Sequence, residues 1–275
     1  MTQIERMLPL YEGKMVDSYD HRDADIVRGK SEGSRKFQPR YLSLADHEDV
    51  NREPVPAFWV REAVLPDGLS DALTCFLNIT SATNERTVRS ALIPRSGVGD
   101  MLPIWTAAHP MALLAILNSF PFDFLARQKV AGLHLTYTHL RQIPLPTPDS
   151  LRTAAPWEPR EQLIAWLEVR SQYLSHTSNS LPRSDGRSIA PWHESDRELA
   201  RTELDAALFH LYGMRRHDVE HVLGTFPIVK RKDIAAHGEY RTKRLILETY
   251  DAMAEAIKTG VPYESPFDNL LTEDG

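Results

Sequence analysis

Several residues in this chain have types and spacings that could do chemistry. His217 and His221 stand four apart, which on a helix would aim both rings at one metal ion. A protease motif needs glutamate directly after the first histidine. Asp218 stands there instead, and no third ligand is evident. Glu12-Gly13-Lys14 matches the acid-x-lysine half of a metal-dependent nuclease strand, but nothing upstream supplies the first carboxylate, and Pro66-Asp67 follows rather than precedes it. Gly97-Val98-Gly99-Asp100 could cradle a phosphate only if a helix followed, and Met101-Leu102-Pro103 does not open one, so it reads as a turn. An adenine-flipping methyltransferase grips the exocyclic amine with an acidic Pro-Pro-aromatic tetrapeptide. The chain has no Pro-Pro pair, no phosphate-binding Walker loop and no Gly-x-Ser-x-Gly elbow. The expectation is therefore a chain without catalytic residues and without a cofactor or metal of its own.

A recognition pattern remains. Arg86, Arg95, Arg127, Gln128, Lys129, His134, Thr136, Tyr137, His139, Arg141 and Gln142 crowd into turns and segment ends. Arginine and lysine reach guanine edges, glutamine reads adenine, and threonine or tyrosine grips bases or phosphates. From Phe226 to Arg244, six cations (Lys230, Arg231, Lys232, Arg241, Lys243 and Arg244) face two anions, Asp233 and Glu239. This local excess contrasts with a chain net charge of -6, the acids collecting in Asp17–Asp25, Asp46–Asp49 and Glu273–Asp274. Segregated charge suits a one-sided polyanion binder, and equally an ordinary solvated face.

With 275 residues, the chain has room for one large domain or two modest ones, and 42% hydrophobic residues are enough for a core. The longest apolar patch, Ala112 to Leu117, is far short of the ~20 residues of a membrane helix. The first residues carry no secretory apolar stretch, so a cytoplasmic location and no membrane partner are expected. The lone Cys75 excludes an internal disulfide and reads as a small buried hydrophobe. Residues 74–80 and 87–93 read as strands around a polar turn, and Pro110 opens a helix to Leu117. A second helix covers 122–129, Gly132 breaks it, and 133–137 reads as extended. Ile143-Pro144-Leu145-Pro146 with Pro148 marks a boundary, giving residues 1–148 as a target-recognition-like α/β domain and 149–275 as a helical region. In the latter, helices are expected over 161–174, 194–212, 218–223 and 241–258, with an exposed loop at 175–190. The expected class is α+β, a mixed sheet followed by a mainly helical region.

Several blocks carry a resemblance. They are Leu8-Pro9-Leu10-Tyr11-Glu12-Gly13-Lys14-Met15 with Tyr19-Asp20-His21-Arg22; Thr83-Asn84-Glu85-Arg86-Thr87 with Gly97-Val98-Gly99; Leu117-Asn118-Ser119 through Asp123–Lys129; Gly132–Thr136; and Leu204–Ala207 with Leu211-Tyr212-Gly213, Thr225–Asp233 and Gly238–Leu245. In order and spacing, the chain resembles the C-terminal half of type IIG restriction-modification, BREX PglX-type and DISARM-type adenine-specific DNA methyltransferases. That half contains a target-recognition domain similar to those of TaqI-like enzymes and type I specificity subunits. The resemblance implies double-stranded DNA as ligand and a methyltransferase subunit or other defence proteins as partners. It places S-adenosylmethionine on the partner, in a catalytic domain upstream of Met1. It also implies that the loop Gly132–Tyr137 enters a groove and that Lys230–Lys232 and Arg241–Arg244 hold phosphates. For Tyr11–Lys14 two readings stand: Lys14 as a phosphate contact, or a strand and turn that closes the domain.

Overall fold

The computed structural model describes residues 5–29, 37–182 and 189–273. The fold is α+β with a helical C-terminal region. Its contacts divide the chain into two compact units: residues 1–79, 89–110 and 173–192, and residues 80–88, 111–172 and 193–275. This grouping does not follow the proline-rich stretch at 143–148, which lies inside the second unit with the helices that flank it.

The first unit is built from short strands. β1 (Met7–Tyr11) is the middle strand of a three-stranded sheet, antiparallel to β4 (Trp59–Arg61) and parallel to β7 (Gly97–Val98). β2 (Ala24–Arg28) and β3 (Phe37–Tyr41) form an antiparallel pair. β5 (Ala72–Phe76) pairs with β6 (Ser90–Pro94) and with β8 (Ile104–Trp105). Tyr11, Met15, Val16, Ile26, Cys75, Ile93 and Leu102 fill the core between them. Cys75 is fully buried, and burial pushes its thiol up to about 12, which keeps it protonated and inert. Helix α1 (Leu44–Glu48) starts at Ser43, whose side chain accepts the Asp46 N–H while the Asp46 carboxylate accepts the Ser43 N–H, a reciprocal cap. The glycines read as a turn lie on β7 and just after it. A Cβ on Gly97 would stand 2.9 Å from Val60 Cγ2 and 3.1 Å from Leu10 Cδ1, so the missing side chain lets β7 approach β1.

The segment read as an exposed loop at 175–190 is in large part buried where it is described: Ser175, Thr177, Ser178 and Leu181 are each at most 2% exposed, while Asn179 and Pro182 stay exposed. Its backbone is tied to other parts of the same unit. Arg22 donates to the carbonyl oxygens of Asp49, Arg52, His47 and Thr177 at 2.8–2.9 Å. The Asn179 N–H donates to the Val50 carbonyl at 2.9 Å. Residues 183–188 of this loop, and the side chains of the acidic tail Glu273–Asp274, lie outside the described residues.

The second unit is helical, with one small strand pair, β9 (Ala154–Ala155) and β10 (Glu158–Gln162). α2 (Pro110–Leu117) and α3 (Phe120–Arg127) follow one another closely. Ser119 caps α3 by accepting the Phe122 N–H, with Pro121 in the first turn. Short helices α4 (Tyr137–Leu140) and α5 (Pro148–Leu151) precede α6 (Leu163–Ser175), which buries Leu163, Trp166, Leu167, Arg170 and Leu174 at helical spacing. α7 (Glu194–Leu211) and α10 (Arg241–Thr259) form the main helix pair. α10 turns Ile246, Tyr250 and Met253 inward, and each buried side chain of this kind contributes roughly 1.5–3 kcal/mol. The glycines after these helices, Gly213 (φ 64°) and Gly260 (φ 73°), take the left-handed conformation that stops them. α8 (Arg216–Gly224) and α9 (Pro227–His237) lie between, and α11 (Pro266–Glu273) closes the chain. Residues 133–137, expected to be extended, form no strand; Thr136 caps α4 instead, in a reciprocal pair with His139.

Candidate nucleic-acid interface

Two of the sequence blocks, 83–87 and 117–129, meet inside the second unit on one carboxylate, Asp123 of α3, which is fully buried. Arg86 Nε donates to it at 2.7 Å, Arg127 Nε at 3.2 Å, and the Thr87 N–H at 3.0 Å. Arg127 also ties the turn 84–86 in place, donating to the carbonyls of Asn84 (2.7 Å) and Glu85 (2.8 Å) and to that of Thr225 (3.2 Å). The guanidinium groups lie on aromatic faces: Arg86 4.2 Å from the Phe120 ring centroid, and Arg127 3.9 Å from that of Phe226. Those two rings meet edge to face at 4.7 Å. Burial lowers the Arg127 pKa and Asp123 opposes the shift. Arg86 and Arg127 were expected to touch DNA. The structure instead spends both inside, as the clasp joining the 84–86 turn, α3 and the start of α9.

Asp205 of α7 sits beside this clasp, fully enclosed, and accepts the Phe120 N–H at 2.7 Å. Burial raises its pKa to about 6, against the pull of Arg86. A folded-state value above the ordinary 3.8 means the native state holds the proton more tightly, so ionisation of Asp205 opposes folding above pH 6. This penalty fades as the pH falls through 6 towards 4. Asp205→Asn keeps an acceptor for Phe120 without the charge. It is expected to stabilise the protein by on the order of 2 kcal/mol at pH 7.5 and by little at pH 4.5. Denaturant melts at the two pH values check this.

Around the clasp, the 128–142 segment carries its recognition-type residues outward. Val130, Leu135, Leu140 and Ile143 are buried anchors, and the Leu133 carbonyl accepts the Thr80 N–H at 3.0 Å. Beside these anchors Gln128, Lys129, His134, Tyr137, Arg141 and Gln142 are exposed. Lys129 and Arg141 make no ion pair among the described residues. Thr136 is half-buried and occupied as the cap of α4.

The basic stretch 230–244 is less free than its composition suggests. Lys232 pairs with Glu85, Arg241 with Glu198, and Arg244 with Glu239 and Glu248. Lys230 and Arg231 on α9 are exposed, with no ion pair among the described residues. The Lys232–Glu85 pair sets α9 against the same 80–87 turn whose Thr80 N–H meets the Leu133 carbonyl. Lys243 borders a separate small cavity of about 360 Å³ with Tyr240 and Asp251.

In the first unit, Lys14 is exposed and bridges Glu12 at 3.3 Å, on a single 3-10 turn, Gly13–Met15, after β1. Arg95 is half-buried and donates to the Leu69 carbonyl at 2.9 Å. A buried polar group there escaped sequence reasoning. His47 Nε2 meets Asp20 at 2.9 Å, and the His47 ring lies on Trp192 at 4.0 Å. His21 Nε2 faces Ser178 Oγ at 3.1 Å, Ser180 Oγ at 3.2 Å and Glu53 Oε2 at 3.6 Å. Serine, histidine and acid are thus together, but a nucleophilic relay needs hydroxyl and carboxylate on opposite ring nitrogens. Here one nitrogen serves all three and Nδ1 has no hydrogen-bond partner, so the group holds the 175–182 segment rather than activating a serine. The signal was present in the Tyr19-Asp20-His21-Arg22 block, four polar or aromatic residues that all prove to be buried. His217 and His221 are both exposed, with His217 3.1 Å from Asp218. Among the described residues no three histidine, cysteine or acidic side chains form a group able to hold a metal ion. No helix among the described residues is long and apolar enough to cross a membrane.

Compared with known proteins, the chain matches no family model, no curated protein and no solved structure.

Proposed function

We propose that this chain is the DNA target-recognition subunit or fragment of a bacterial restriction-modification or phage-defence system. In this reading it positions double-stranded DNA for adenine methylation by a separate catalytic chain, which binds the S-adenosylmethionine. The observation that carries the reading is the 128–142 segment: loop and one short helix, pinned at four apolar points, that present Gln128, Lys129, His134, Tyr137 and Arg141 outward. Base reading needs such donors and acceptors on backbone that does not yield, with cations nearby for phosphates. Lys230 and Arg231 supply those cations. Arg86 and Arg127 serve the reading indirectly, by stiffening the support.

The reading separates two kinds of residue. Lys129→Ala and Lys230→Ala are each expected to lower the slope of log K against log salt by about 1, alike on every sequence. Arg141→Ala is expected to cost about 1–3 kcal/mol on the preferred site and less elsewhere. Fluorescence anisotropy with labelled duplexes at several salt concentrations tests this. Equal losses for all three variants on all sequences would contradict a reading role for Arg141.

A second reading has one observation in its favour: Lys232, Arg241 and Arg244 are held by carboxylates, and the chain is net acidic. In that reading the protein docks on a methyltransferase chain without reading DNA. Capture of such a chain with no affinity for duplex DNA would favour it.

A further inference from the structure

A cleft lies in the first unit, and of the residues read as DNA contacts only Lys14 lines it. It encloses about 790 Å³ and is walled by β3, the Gly13–Met15 turn and the 99–101 segment. Four large apolar side chains stand open to solvent along it: Tyr41 (69% exposed), Ile79 (57%), Phe58 (51%) and Met101 (38%). Apolar side chains scattered singly on a surface need no explanation, but four lining one concavity form a binding patch. Phe58 is held at a fixed angle by an edge-to-face contact with Phe37 at 5.3 Å. Two polar groups sit among them. Asp23 and Arg89 line the cleft, and Arg89 Nη1 stands 3.7 Å from the Asp17 carboxylate.

These features select a ligand. A polar group covered without a partner costs about 1–3 kcal/mol, so a purely aliphatic guest lying over Asp23 and Arg89 is disfavoured. A phosphate is disfavoured, because Glu12, Asp23 and Asp100 outnumber Lys14 and Arg89 along the walls. An uncharged flat ring with donors and acceptors on its edge meets both conditions. We propose that this cleft binds a nucleobase, its face on Phe58 and Tyr41 and its polar edge towards Asp23 and Arg89. Burial and the neighbouring Asp17 and Asp20 raise Asp23 to about 7, so its carboxyl can give or accept a hydrogen bond at neutral pH. The base has two sources, a free nucleoside or a base extruded from DNA. The second rests on the DNA reading and the first does not.

The test uses the full chain in calorimetric titrations with adenosine, guanosine, cytidine and thymidine, and with a duplex carrying one unpaired base beside its fully paired counterpart. Saturable binding is expected for at least one nucleoside or for the unpaired base over the paired duplex. Phe58→Ala is expected to weaken it about tenfold, the scale of one lost base–aromatic stack. Tyr41→Ser, at the most exposed of the four positions, gives a second readout that leaves the fold intact. Asp23→Asn is expected to change the preference order among the four nucleosides. If nucleosides bind and Phe58→Ala weakens them while no duplex binds, the cleft stands and the DNA reading fails. If no nucleoside binds and paired and unpaired duplexes bind equally, with Phe58→Ala unchanged, the cleft proposal is overturned and the DNA reading survives.

Discussion

Asp123→Asn should lower the stability of the protein by about 3–5 kcal/mol, the cost of leaving a buried cation without its partner. The substitution barely changes shape. It does replace one acceptor oxygen with an amide donor, where Arg86, Arg127 and the Thr87 N–H all donate. Against a total of roughly 5–15 kcal/mol for a typical domain, the second unit would be near unfolding. Urea denaturation followed by circular dichroism would show it as a lower midpoint. The pairing itself is tested by a cycle: Arg86→Met in the Asp123→Asn background should cost markedly less than Arg86→Met alone, since the two groups act on one another. Additive losses would show that the carboxylate and the guanidinium do not depend on each other.

Arg22→Met should have an effect of similar size in the first unit. The methionine fills much of the same volume but leaves the carbonyls of Asp49, Arg52, His47 and Thr177 without the donor they share. At about 1–3 kcal/mol for each unsatisfied group, partly recovered by water, a loss of about 4 kcal/mol is expected. Arg22→Lys should lose nearly as much, since a single ammonium cannot span four acceptors as a planar guanidinium does. Hydrogen exchange would locate the damage. The Asn179 N–H, bonded to Val50, should lose protection well before the amides of α10. Equal loss of protection everywhere would mean that Arg22 supports the whole molecule rather than this junction.

The elements legible in the sequence were those with their own signals. α10 has apolar residues at Ile246, Tyr250 and Met253 and a glycine after its end, and α7 has Leu204, Leu208 and Gly213. α9 was missed although its markers were there, Pro227 at its start and Gly238 (φ 76°) at its end. The run Lys230-Arg231-Lys232 drew attention as charge and masked a helix with only Val229 buried. Arg86 looked like a reader because its partners, Asn118 and Asp123, are more than 30 residues along the chain. Arg127 was more legible, since Asp123 lies four residues before it, the spacing of a helical ion pair. The burial of Ser175–Ser178 and Leu181 had no local signal at all. Arg22 and His21 reach the segment from over 150 positions away. What the sequence did mark was position: several of the blocks that suggested a recognition module surround Asp123, as support rather than as contact.

The most direct test is a titration of the full chain with duplex DNA from low to moderate salt, alone and with an adenine methyltransferase chain added. Binding should appear at low salt, weaken linearly in log salt, and lose slope when Lys129 and Lys230 are both alanine, while Arg241→Ala, at a cation already held by Glu198, changes the slope little. No binding to duplex DNA at low salt, with or without the catalytic chain, would contradict a role in DNA recognition.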